Sequence, residues 1–317
     1  MNSQAVTDFE ALDRQAFREK QFALCLTHDV DRPYKTIQAP YRAFRERDLS
    51  HCNHFFTDER PYWQFDTIQA IEDEFGVRSS FYFLNERRLV RDLPKRAWLT
   101  PRNWIRYTGH YAIDDPAIVR VIQELHNGGW EIGLHGSFSS YDDRARLEYE
   151  KAALESVLGT SITGGRQHFL NRSIPATWRH HRAIGLSYDS SLGSSSSAGF
   201  LHGYDVRRPF DDDFLVFPLT AMEVALHTAD NSLEVAKTRV DQLIEEAARN
   251  QAVMTVLWHI RLFNTDEFPG YAELYRYLIK RAIDANAWIG PVRDLAHAFN
   301  GEENRIPEDT PRSAGTQ

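Results

Sequence analysis

The feature that most constrains this chain is a recurring alternation of short apolar runs with longer amphipathic segments. The runs lie at Phe22–Thr27 (FALCLT), Ser80–Leu84 (SFYFL), Glu131–His135 (EIGLH), Gly165–Leu170 (GRQHFL), Leu186–Asp189 (LSYD), Phe214–Leu219 (FLVFPL) and Ala252–His259 (AVMTVLWH), with a short last one from Trp288. Strands buried on both faces read as brief, almost unbroken apolar stretches, and parallel strands need helical crossovers between them. Helical patterns fill the gaps at Asp66–Phe75, Asp115–His126, Asp143–Leu158, Pro175–Ile184, Leu233–Asn250 and Tyr271–Ala285. Asp66 is placed to cap the first of these and Gly76 to end it, while Pro116 occupies the first turn of the second. Repeated strand–helix units of this number predict a (β/α) barrel, closed or distorted.

Composition narrows the class. A chain of 317 residues with 42% hydrophobic and 26% charged residues can bury a large core. A net charge of −8 argues against a general nucleic-acid or anionic-membrane surface, both of which need a basic field. Two cysteines, Cys25 and Cys52, rule out a disulfide scaffold, and Cys25 inside an apolar run is most simply a small core residue. No apolar h-region opens the chain and no long apolar run follows, so the expectation is a cytoplasmic protein without a membrane span. Residues 1–20 are expected to be a polar extension, 21–300 the barrel, and 301–317 a disordered tail. Two long aromatic-bearing insertions, at 32–65 and 87–110, are expected to build one wall of a cleft.

The chemistry-bearing residues collect where the runs stop. The first run ends at His28, Asp29 and Asp31, the third at His135, the fourth at Arg166 and His168, the fifth at Asp189 and the seventh at His259. In a parallel barrel these carboxyl ends share one face, so the groups can reach a common pocket. Two carboxylates two residues apart repel unless a cation or proton joins them, although the same residues could make an Asp turn or helix cap. An aspartate and two histidines are usual ligands of a catalytic divalent metal, and a further carboxylate and histidine supply base and acid. Alternation along the strand puts Arg166 and His168 on one face and turns the His28 side chain away from the pocket.

The sequence THDVD, with EIGLHGS, GGRQHFL, LSYDSS and VLWH after it, resembles the polysaccharide deacetylases of carbohydrate esterase family 4 over about Phe22 to Phe299. The resemblance implies a distorted (β/α)7 barrel and a metal-dependent deacetylase, with zinc as the expected cofactor. It implies Asp29 as catalytic base, Arg166 as the arginine that holds it, Asp189 as an orienting group and His259 as general acid. Asp31 and His135 would be metal ligands. The family's second motif carries another histidine four residues after the first, and Ser139 stands there in this chain. His168 is the substitute expected from the next strand. Ser139, Tyr188 and Trp258 are expected to contact substrate, with Trp63 and Trp104 as further aromatics for stacking on sugar faces. The implied substrate is an N-acylated, chiefly N-acetylated, amino sugar or a cytoplasmic sugar precursor. Two alternatives stay open: an amide hydrolase acting on a small non-sugar nitrogen compound, and a metal-free carbohydrate-binding relative without activity.

Overall fold

In the computed structural model the described residues are 19–36, 59–210, 212–227 and 232–303, with 39, 40, 43, 44, 47, 48 and 52 in addition. The expected N-terminal extension, most of the tail, and His51 and His54 of the first insertion lie outside them. Among the described residues nine strands form one parallel sheet: β1 (Phe22–Val30), β2 (Ser80–Leu84), β3 (Glu131–Gly136), β4 (Gly164–Gln167), β5 (Tyr188–Asp189), β6 (Leu215–Val216), β7 (Leu219–Met222), β8 (Val253–Leu257) and β9 (Ala287–Gly290). The order is β6-β5-β4-β3-β2-β1-β8-β7, with β9 also paired to β1. The sheet curls into a (β/α) barrel that stays open between β6 and β7. The run Phe214–Leu219 thus makes two strands and not one. Pro218 lies at the break, where it has no N–H to give a ladder.

Helices cover the outside: α1 (Phe65–Phe75), α2 (Leu89–Asp92), α3 (Pro101–Tyr107), α4 (Pro116–Asn127), α5 (Arg144–Leu158), α6 (Ala176–Ala183), α7 (Glu223–Leu226), α8 (Leu233–Asn250), α9 (Tyr271–Asp284) and α10 (Val292–Glu303). Asp115 and Asp143 cap α4 and α5 by accepting from Ala117 N and Arg146 N. Asp66 does not cap α1. The helix begins one residue earlier, so Asp66 sits in its first turn, where a carboxylate still suits the helix dipole. Gly76 ends α1 at φ 65°, a left-handed conformation that favours glycine. Among the described residues no helix is long and apolar enough to cross a membrane.

Strand β1 sets the geometry, since all nine of its residues are buried and it pairs with β2, β8 and β9. Leu24, Leu26 and Val30 pack outward into the main core beneath the helices, while Ala23 and Cys25 face the barrel interior with Tyr82, Tyr188 and Phe217. The lower interior closes on a buried carboxylate. Glu131 accepts from Tyr188 Oη at 2.7 Å, Ser80 Oγ at 2.6 Å and Arg293 N at 2.9 Å. Gly164 is needed beside this plug, because a Cβ there would lie 2.0 Å from the Tyr188 ring.

Candidate metal centre and catalytic site

The alternation of β1 carries Thr27 and Asp29 inward and His28 outward. The Arg166 guanidinium, fully buried, donates to Thr27 Oγ1 at 2.8 Å, Asp29 Oδ1 at 2.9 Å, Ser190 O at 2.8 Å and Ser190 Oγ at 2.9 Å. A buried charge needs this many partners, and the result is a carboxylate clamped in one orientation. On the other face, His28 bridges Trp258 O and Glu72, with Glu72 also accepting from Tyr275 Oη and Trp130 Nε1. His28 therefore packs behind the site, as its strand parity requires.

Past the end of β1, Asp31 meets two histidines. His135 Nε2 lies 3.0 Å and His168 Nε2 3.5 Å from Asp31 Oδ1. One ligand atom from each of Asp31, His135 and His168 fits within 4.8 Å of the others. His168 reaches the cluster from beyond β4. The strand stops at Gln167, and a turn follows in which Phe169 and Leu170 take φ of 58° and 54°. Two consecutive non-glycine residues in this region represent strain of about 1–2 kcal/mol each. Burial works against charge on Asp31, but His168 and His135 outweigh it and hold the carboxyl well below the usual range. Burial likewise opposes a His168 cation, yet Asp31 and Glu86 raise its pKa to about 9.

These residues fit a divalent cation. His135 Nδ1 lies 3.0 Å from Arg166 O, and a carbonyl only accepts, so the proton belongs on Nδ1. In a ring that carries only that proton, the Nε2 lone pair faces Asp31 Oδ1, acceptor against acceptor. Both atoms are buried and lack a hydrogen-bond partner. A cation between them resolves the mismatch, and two imidazoles with one carboxylate are a common donor set for zinc and similar metals.

His259, at the end of β8, approaches from the other carboxylate oxygen, its Nε2 3.5 Å from Asp31 Oδ2. Its Nδ1 is held 2.7 Å from Glu223 Oε1 on α7. Burial disfavours the imidazolium, but Glu223 outweighs it and raises the His259 pKa. The 87–110 insertion adds His110, whose Nδ1 lies 3.2 Å from Asp31 O and whose ring meets His168 edge-on at 5.9 Å. Burial, with Arg32 nearby, lowers the His110 pKa. Tyr107 of the same insertion reaches Ser139, Oη to Oγ 3.3 Å.

Several sequence expectations need correction. Asp189 is buried, but its carboxylate meets Trp178 Nε1, Ser191 and His181 beneath α6, not Arg166 or Asp29. It pairs in register with Gly165, so it shares the outward face while Arg166 points in. The carboxylate held against a histidine at the strand ends is Glu223, on His259. Tyr188 and Trp258 are both wholly buried, Tyr188 in the lower plug and Trp258 in the outer core, so neither side chain is presented to a cleft. Trp63 packs on Tyr34 and Phe65. Besides Glu223, sequence reasoning missed Glu86 and His110. Glu86 comes soon after the apolar run Ser80–Leu84, a weak signal, and His110 has none.

No protein-family model matches the chain, and no curated protein does. Solved structures do. A protein from Mycobacterium smegmatis assigned to the polysaccharide deacetylases is 18% identical, with TM-score 0.57, covering 93% of this chain and 95% of that one. Another from Pseudomonas aeruginosa PAO1, assigned likewise, is 12% identical with TM-score 0.57, covering 92% and 93%. A carbohydrate esterase family 4 pseudoenzyme from Bacillus anthracis is more distant, at 11% identity and TM-score 0.48, and carries no argument on activity. The distorted (β/α)7 barrel of the polysaccharide deacetylases is thereby shown for this chain. At these identities the likeness concerns the fold.

Proposed function

We propose that this protein is a divergent polysaccharide deacetylase, a metal-dependent hydrolase that removes an N-acyl group, in the first instance acetyl, from an amino sugar or a sugar-containing precursor. One observation carries the proposal: the Asp31–His135–His168 cluster lies beside the Arg166-clamped Asp29 and shares Asp31 with His259. Asp31, His135 and His168 would hold the metal, zinc by their chemistry, which supplies a Lewis acid that polarises the scissile carbonyl and acidifies water.

The remaining steps belong to the protein. Asp29, fixed through Oδ1 by Arg166, takes the proton of the attacking water. His259, oriented through Nδ1 by Glu223, gives a proton from Nε2 to the departing nitrogen. The C–N bond breaks, the amine leaves protonated, and the acyl group leaves as a carboxylate. In place of Tyr188 and Trp258, the aromatic surface next to the site is Phe169, 69% exposed and edge-on to Phe138 at 5.6 Å. An exposed ring held beside His168 in a strained turn suits an apolar sugar face.

The test is hydrolysis of N-acetylated amino sugars and of cyclic amides by the metal-supplemented protein and by Asp29→Asn. Release of acetate from the sugars, lost in a variant that still holds metal, is expected. Activity on cyclic amides alone would move the substrate class. Full activity of Asp29→Asn would remove Asp29 from its role.

A further inference from the structure

We infer that Glu86 is the positioning residue that makes His168 a metal ligand, an inference that rests on the metal-dependent reading above. Glu86 lies just past β2, its side chain 1% exposed. Oε1 accepts from Arg87 N at 2.8 Å and Oε2 from Phe138 N at 2.8 Å. The same Oε2 is 3.6 Å from His168 Nδ1, a buried ring nitrogen without a hydrogen-bond partner. The opposite ring nitrogen, Nε2, faces Asp31. The His168 imidazole thus stands between two carboxylates, one for each nitrogen.

Metal-binding histidines depend on such an acceptor, because it keeps the proton on one nitrogen and aims the lone pair of the other. For His135 that acceptor is Arg166 O, and strand β3 fixes the ring besides. His168 has no strand. It opens the turn with two left-handed residues, so its aim has to come from a side chain. Glu86 is also tied by Phe138 N to the loop that carries Ser139. One buried carboxylate therefore links β2, the loop where the family's usual second histidine is replaced, and the histidine that takes its place.

The inference is tested by titrating metal-free wild type, Glu86→Gln and Glu86→Ala with Co2+, following affinity and the visible absorption of bound cobalt. Both variants should bind cobalt about 10- to 100-fold more weakly, with an altered spectrum. A folded variant whose affinity stays within about twofold of wild type overturns the inference and leaves the metal reading standing. Should the variants fail to fold, nitrogen-15 NMR of zinc-loaded wild type decides. The proton of His168 is expected on Nδ1, and a proton on Nε2 overturns the assignment. Wild type that binds no cobalt overturns the metal reading, and the role of Glu86 falls with it.

Discussion

Replacing Arg166 by methionine tests the core of the catalytic arrangement. Its guanidinium is fully buried and makes four hydrogen bonds, one of them to Asp29, which is itself 4% exposed. Methionine fills much of the same volume but leaves Asp29 buried without its nearest cation. Breaking a buried ion pair from one side costs about 3–5 kcal/mol, most of it the penalty of the stranded charge. Asp29→Asn strands less, because Arg166 keeps Thr27 and Ser190. The double variant Asp29→Asn/Arg166→Met removes both charges, so it should recover about 1–3 kcal/mol of the loss in Arg166→Met. Urea unfolding of the four proteins, all metal-free, measures this coupling. Additive losses, or an Arg166→Met cost below about 1 kcal/mol, would refute the idea that Arg166 is present to hold a buried Asp29 carboxylate.

Further outcomes follow from the same geometry. His168 has a pKa raised from 6.5 to about 9 in the folded metal-free protein, so its contribution is fully present below pH 6.5 and is lost as pH rises to about 9. Metal-free stability should fall by about 3 kcal/mol across that window. Metal competes with the same proton, so the stability gap between loaded and metal-free protein should widen there; thermal unfolding at fixed metal concentration reads both trends. Glu223 raises the His259 pKa, so Glu223→Gln should move the alkaline limb of the kcat profile to lower pH and reduce kcat. An unshifted limb would detach Glu223 from the acid. Tyr188→Phe removes a donor to Glu131 and should cost about 1–3 kcal/mol of stability while leaving KM unchanged; a raised KM would return Tyr188 to the substrate cleft.

Much of this site was legible because a parallel barrel turns strand ends into a shared address. The run from Phe22 and the acids after it, His135, Arg166 and His259 all fall where the sequence pattern puts them. Parity could have gone further. Trp258 adjoins His259 and Tyr188 adjoins Asp189, and neighbours along a strand face opposite sides. Applying that rule would have sent Trp258 into the outer core and raised the conflict at Asp189, whose partner His181 lies on α6. Other features had no such signal. Glu223 looks like an ordinary surface carboxylate until the tertiary fold sets it against His259, and the place of Glu86 after a strand does not reveal that it meets His168. The turn at Phe169 and Leu170 lacks the glycine that marks a left-handed backbone, so Gly165–Leu170 reads as one strand when its last three residues are a turn.

The central claim is that His168 completes the metal site in a chain with serine at position 139. A crystal structure of the metal-loaded protein, with the ion located by anomalous scattering, tests it directly. One ion bonded to Asp31, His135 and His168 is the expected result. An ion that His168 does not touch, or protein that retains no ion after loading, would contradict it.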